Sequence, residues 1–258
     1  MRQYDVEAVV LRSKTIREAD KLVTIFSRQR GKQRVMAYGA AKANSRKRGA
    51  VQPLCHSQMM LSRGKVLDSI TQCAGISFFT EIVSNLEKMT VAFYFCELMD
   101  ILNEENEPNE PLFILLLTTL KWLNQPTIDF AAVEKLQAGF EMKMLGLLGY
   151  MPELGSCVNC GGDLTGKLTF SVDEGGVICG HCYQPENRVF AIKYPTVQLL
   201  RQLLTTKPGE LALLQPDKWT FEQTKNILKA LTRYHLERRA KSLDFLEVLH
   251  KNTPNRDK

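Results

Sequence analysis

Four cysteines constrain this chain more than any other feature. They stand as Cys157-x2-Cys160 and Cys179-x2-Cys182, with eighteen residues between the pairs. Two close thiol pairs at that separation let two tight knuckles bring four sulfurs around one ion, and Gly161, Gly162 and Gly180 supply the turn residues such knuckles need. Between the knuckles, LTFSVDEGGVIC alternates apolar residues about Gly175-Gly176, the pattern of a short hairpin. Residues 153–190 therefore read as an inserted zinc ribbon. Disulfides compete for the same sulfurs, but the opening MRQYDVEAVVLR has no apolar signal core or small-residue cleavage site, so a reducing cytoplasm is expected. Four thiolates fill a tetrahedral shell and leave no position for water or substrate, which makes the zinc structural. His181, between two ligands, is then an exposed knuckle residue. Cys55, Cys73 and Cys96 stand singly in strand or helix patterns and read as small buried hydrophobes.

Ahead of the cysteines the chain changes period. Five short strands are expected at 4–12, 21–27, 33–38, 54–61 and 66–73, bounded by turn residues such as Gly31 and Gly64. Five strands in so short a stretch suggest a small barrel, with the oligonucleotide-binding (OB) Greek key and the SH3-like barrel both fitting the count. Charge tilts the choice toward the OB-fold. Residues 1–80 carry 15 Lys+Arg against 5 Asp+Glu, whereas 81–150 carry 4 against 11. One sign concentrated in one block is the footprint of a surface for a polyanion. Arg28, Arg30, Lys32, Arg63 and Lys65 occupy hairpin loops, and Arg12, Lys14, Arg17 and Lys21 the first connection.

From about residue 77 the spacing becomes helical. Ile82, Leu86, Met89 and Phe93 recur at steps of four, three and four, which predicts one buried face on a helix running to about 103. The acidic NEENEPNEP that follows reads as a solvated connector. Further helices are expected at 112–123, 131–148, from about 195 with Val197, Leu200, Leu203 and Leu204 on its face, and from about Thr220, whose spacing to Gln223 matches a capping box. The last of these is expected to extend into YHLERRAKSLDFLEVLH, before a frayed tail KNTPNRDK. The run LFILLLTTLKWL is too short to span a bilayer and reads as a buried helix. The expected architecture is α+β and multidomain: an N-terminal OB-fold β-barrel over 1–78, then an all-α domain over 79–258 carrying the inserted four-cysteine zinc ribbon.

No catalytic pattern emerges. His56, His235 and His250 lie in different elements, and no HExxH, GxSxG or Walker-type context is present. A metal-dependent nuclease or an ATPase needs carboxylates or a phosphate cradle, and the basic block holds five acids in all. A binding protein is favoured over an enzyme. A zinc-containing nuclease and a zinc-ribbon RNA-binding or transcription accessory protein are the alternatives.

The basic barrel, the stretch YGAAKANSRKRGAVQP, the helical middle, the four-cysteine insertion and the closing YHLERRAKSLDFLE together resemble the RecO family of bacterial recombination mediator and DNA repair proteins. The most specific pieces are Gly39-Ala40, Ser45-Arg46, Gln52-Pro53, His235-Leu236 and Lys241-Ser242-Leu243; Ala41 departs from the basic residue expected after Gly39-Ala40. The resemblance implies an N-terminal OB-fold, a helical domain with a zinc motif, and a non-enzymatic role in the RecF pathway after DNA damage. It further implies binding of single- and double-stranded DNA, annealing of complementary strands, and action with RecR to load RecA on DNA coated by single-stranded DNA-binding protein, whose acidic, apolar-ended tail is a partner. The expected setting is the bacterial cytoplasm, associated with the nucleoid, without membrane contact.

On that reading GAAKANSRKRG is a phosphate-contacting loop between the third and fourth strands. Gly39 and Gly49 allow close backbone approach and Ser45 can donate a hydrogen bond. The residues expected to meet DNA are Arg12, Lys14, Arg28, Arg30, Lys32, Arg34, Lys42, Ser45, Arg46, Lys47, Arg48, Arg63 and Lys65. Tyr38 and Phe26 are candidate platforms for bases, although both fall in strand patterns that favour burial.

Overall fold

The computed structural model describes residues 3–183 and 189–236. Five strands, β1 (Gln3–Thr15), β2 (Lys21–Ser27), β3 (Gly31–Ala37), β4 (His56–Ser62) and β5 (Asp68–Ser77), form a closed barrel in the order β1-β2-β3-β5-β4. Closure depends on β1, which serves two neighbours: Ala8 to Thr15 pair with β2, and Gln3 to Val9 pair with β4. A register shift between Val10 and Arg12 marks a bulge, and a bulge bends a strand. The parallel join between β3 and β5 is short, at Val35↔Asp68 and Met36↔Ser69. Alternating residues such as Val6, Ala8, Val23, Ile25, Met59 and Leu61 fill the interior.

Four strands differ in their bounds from expectation. β1 runs on to Thr15 and β3 starts at Gly31, so Arg12 and Lys14 lie in β1, Lys21 opens β2 and Lys32 lies in β3, not in the connection and hairpin loop expected for them. β4 starts at His56 rather than 54 because Leu54 adopts φ 66, a left-handed turn that an extended strand cannot contain. β5 starts two residues later and ends four residues later than predicted. Val66 lies 91 % exposed in the preceding turn, while Ala74, Gly75 and Ile76 continue the strand with solvent on both faces and so show no alternation.

The compact unit that holds the barrel extends through Thr127. It takes in α1 (Thr80–Ser84), α2 (Leu86–Leu102) and α3 (Glu110–Leu123), with α2 against β1 and β2. The single helix expected over 77–103 is broken at Asn85, which is extended and whose side chain accepts the Lys88 N–H at 3.0 Å as an N-cap. The predicted face fails with it. Leu86 and Phe93 are exposed, and the buried side is formed by Val91, Phe95, Leu98 and Met99. Pro111 falls inside the first turn of α3, where its missing N–H costs nothing, and Asn109 caps the helix.

The acidic connector is not simply solvated. Lys32 bridges to Glu105, the Asn106 N–H donates to the Lys32 carbonyl at 2.8 Å, and a Cβ at Gly31 would stand 1.8 Å from the Glu107 carbonyl oxygen. The β2–β3 hairpin and the connector thus lie backbone to backbone. Gly31 is required there, both for that approach and for its φ of 63.

The second unit, described over 128–236, contains α4 (Phe130–Leu147), a three-stranded sheet, α5 (Tyr194–Thr205), α6 (Pro208–Leu211) and α7 (Lys218–His235). α4 packs against α5, α6 and α7. On α5 the predicted face is seen: Val197, Leu200 and Leu203 are buried and Leu204 is partly so. α7 begins two residues before Thr220, because Asp217 and not Thr220 is the cap: its carboxylate accepts both the Thr220 N–H and hydroxyl, and the hydroxyl bond leads the interactions that lower its pKa. The extension expected beyond α7, the tail, His250 and the Lys241-Ser242-Leu243 piece lie outside the described residues. Among the described residues, no helix is long and apolar enough to cross a membrane.

Candidate metal centre and nucleic-acid interface

The cysteine insertion folds as a small sheet with two knuckles at one end. β6 (Leu168–Ser171) and β7 (Gly176–Ile178) make the predicted hairpin, with Gly175 at φ 71 in its turn. A third strand, β8 (Val189–Ile192), pairs with the other edge of β6 and was not anticipated. The first knuckle is closed by the Gly161 N–H to the Cys157 carbonyl at 2.8 Å, the second by the Cys182 N–H to the Cys179 carbonyl at 3.1 Å. Glu153 holds the entry to the ribbon, its Oε1 accepting the N–H groups of Gly155 and Ser156.

These turns bring Cys157, Cys160, Cys179 and Cys182 together, every Sγ within 4.8 Å of the others. A tetrahedral thiolate shell with metal–sulfur bonds of about 2.3 Å has sulfur–sulfur edges of about 3.8 Å. The Cys160–Cys179 separation is 3.9 Å, so the donor set fits such an ion. Electrostatics agree. Burial pushes the Cys157 thiol up, but the backbone N–H of Cys179, donating to its Sγ at 3.3 Å, and those of the first knuckle outweigh this and bring it down to about 6. Cys182, hydrogen-bonded to Cys160 and Cys179, is pushed up to about 12. The four cysteines could hold a metal ion, as predicted. His181 is exposed, while Cys55 and Cys96 are buried and Cys73 is partly so.

The predicted DNA-contacting residues separate into two sets. Arg28 lies between Glu110 at 2.6 Å and Glu7 at 3.4 Å; Lys32 donates to the Asp100 carbonyl at 2.5 Å; and Arg34 pairs with Glu105 at 2.6 Å. Arg30 covers the Tyr4 ring at 4.2 Å. The connector and α2 therefore engage much of the β2–β3 hairpin. The side chains of Arg12, Lys14, Lys42, Arg46, Arg48, Arg63 and Lys65 are exposed and have no ion pair or hydrogen bond among the described residues.

The loop between β3 and β4 is a chain of turns anchored to the core. N–H groups of Lys42, Ser45, Arg48 and Val51 donate to Gly39, Lys42, Ser45 and Lys47 carbonyls in succession. Ala40 and Val51 are fully buried in the barrel core, and the Lys47 ammonium donates to the Ile70 carbonyl on β5 at 2.6 Å. Gly39 has φ 69, and its N–H donates to Asp20 at 2.9 Å, which ties the loop to the β1–β2 connection. Lys42, Arg46 and Arg48 are thereby presented outward from a fixed base, and Ser45 lies partly buried among them.

The two aromatic candidates part company. Phe26 is fully buried and is excluded as a base platform, whereas Tyr38, expected to be buried, is 55 % exposed. Tyr38 is the first residue beyond β3, where alternation no longer governs which way a side chain faces. The sequence pattern did not single out Phe78, 52 % exposed beside the end of the loop. Its one signal was an aromatic directly after a strand containing Gly75.

Two family models cover the chain. The model described as Recombination protein O N terminal matches residues 1–79, and Recombination protein O C terminal matches 83–244. Among curated relatives, the DNA repair protein RecO of Desulforamulus reducens is 39% identical over 257 residues, covering 99% of this chain and 98% of the relative. That of Pelotomaculum thermopropionicum is 39% identical over 247 residues, 96% and 94% of the two chains. That of Symbiobacterium thermophilum is 32% identical over 255 residues, 96% and 98%.

Proposed function

Since the chain belongs to the recombination protein O (RecO) family, we propose that it is a DNA-binding recombination mediator in DNA repair and not an enzyme. It binds single- and double-stranded DNA without reading sequence, anneals complementary strands, and with RecR helps load RecA on DNA coated by single-stranded DNA-binding protein. DNA binding falls to the barrel over 1–78, read as an OB-fold, and partner docking to 79–258. The ion held by Cys157, Cys160, Cys179 and Cys182 is zinc and structural, and the protein works in the cytoplasm at the nucleoid.

The observation that carries this reading is the match of both family models, over 1–79 and 83–244, by a chain whose basic residues cluster in its barrel. The strand order β1-β2-β3-β5-β4 supports the OB-fold, whose ligands meet the loops after the first and fourth strands. Here Arg17 stands in the first of those loops and Arg63 and Lys65 in the other. Exposed cations that neutralise phosphates release counterions, a contribution indifferent to base identity and suited to a protein that acts anywhere on damaged DNA.

The test is the combined substitution Arg46→Ala, Lys47→Ala and Arg48→Ala. Affinity is expected to fall about equally for unrelated sequences, and the slope of log affinity against log salt to flatten by about 0.7 for each single-strand phosphate no longer neutralised. An unchanged slope rejects the loop as a phosphate site.

A further inference from the structure

Two phenylalanines follow β5, and the backbone sends them in opposite directions. Phe79 is 2 % exposed and holds the N-cap of α1 at φ 46, ψ 55. A left-handed conformation is unfavourable for a bulky aromatic residue and persists only where its surroundings dictate it. Its effect is to tuck Phe79 inside and leave Phe78 outside.

Phe78 is not loose on the surface. Its ring tip occupies the side-chain space missing at Gly75, where a Cβ would stand 2.3 Å from Cζ, and it touches the end of the basic loop, with Cε1 3.5 Å from a Cβ built at Gly49. Half the residue nonetheless remains open. Beside it, β5 offers Ala74, Gly75 and Ile76, all exposed, and β3 does not pair with β5 beyond Ser69. The loop that ends at the ring carries Arg46 and Arg48, which have no ion pair or hydrogen bond among the described residues, and it is fixed to β5 through Lys47. A half-exposed aromatic side chain at the end of a cation-bearing loop has the two features that single-stranded nucleic acid needs, a surface for an unstacked base and charges for nearby phosphates. A lid over two glycines would need neither the exposure nor the charge.

We propose that Phe78 is a stacking platform for one unpaired base of single-stranded DNA, flanked by phosphates on the 39–49 loop. The assignment rests on the DNA-binding reading above and adds to it a means of distinguishing strands. Duplex DNA hides its base faces, so Phe78 contributes to single-strand binding alone, while the loop cations serve both forms.

The experiment measures anisotropy of labelled oligonucleotides with the full-length protein: a single strand, a duplex of equal length, and a single strand with abasic sites. Phe78→Ala is expected to weaken single-strand binding about 5- to 100-fold, to leave duplex and abasic binding within about twofold, and to preserve the salt slope. Phe78→Trp restores single-strand affinity. Gly75→Ala, whose Cβ displaces the ring without removing it, gives an intermediate loss. Wild-type protein that binds DNA while Phe78→Ala changes nothing, or weakens single strand and duplex alike with its circular dichroism intact, overturns the platform and leaves the DNA reading standing. Wild-type protein that ignores all three ligands at low salt removes both.

Discussion

In the barrel, thirteen side chains no more than 2 % exposed meet in one core, whereas the buried cluster around the ribbon's knuckles consists of Cys157, Ile178 and Cys179. Strand pairing differs as much: β1 and β2 share seven register partners, β6 and β7 three. Apolar burial alone can close the first region. The knuckles bury little apolar surface around their sulfurs to offset the ordering of the chain there. With the proposed zinc, folding of the knuckles would be coupled to an ion, so the two regions should answer differently to the same perturbation.

Metal removal should separate them furthest. A chelator, or Cys157→Ser, is expected to abolish hydrogen-exchange protection across 157–182 while amides of β1 and β4 keep theirs, since structural zinc in small domains supplies about 10–16 kcal/mol of apparent folding free energy. Persistent protection in a chelated ribbon, or absence of bound metal in protein purified without chelator, ends the contrast. Met59→Ala attacks the other side. Met59 is fully buried at the barrel centre, and its truncation is expected to cost about 2–5 kcal/mol, read as a lower denaturation midpoint for the barrel with ribbon protection retained. Equal loss in both regions would mean that they fold as one.

Acid gives the smallest expected difference. Burial lowers the pKa of His56, only partly countered by Glu7 at 2.9 Å, so the folded barrel takes up this proton less readily than the unfolded chain. The contribution is complete above the ordinary histidine value of 6.5 and is lost as pH falls through the lowered folded value. Barrel stability should therefore decline on mild acidification, and His56→Gln should flatten that decline. A variant with the wild-type slope excludes His56 as its source.

Much of this contrast was legible in the residues. Four cysteines at metal-ligand spacing leave few alternatives, and five strands show themselves by alternation because one face of each is buried. What escaped was set by tertiary context. The spacing of Ile82, Leu86, Met89 and Phe93 is helical, but Asn85 caps rather than continues the helix, and α2 is apolar around so much of its circumference that spacing could not choose its buried side. Tyr38 and Phe78 sit just past strand ends, where no period predicts direction. Glu110, Asp100 and Glu105, which pair with Arg28, Lys32 and Arg34, come from the 100–110 segment, and no local pattern announces an ion pair across such a separation.

That segment changes what the barrel offers to the solvent. The excess of ten positive charges in residues 1–80 becomes 17 Lys+Arg against 13 Asp+Glu, or +4, over residues 1–127, the span in which the barrel is found as a compact unit. The long-range pull on a polyanion is correspondingly weaker than the barrel alone would exert. In its place stands a field with a direction: acidic groups screen the β2–β3 hairpin, and the uncompensated cations lie elsewhere, toward the end of β1 and on other loops. On the DNA-binding function proposed above, an approaching strand would be turned away from that hairpin before it touches, and the acidic connector would act as an orienting element during encounter.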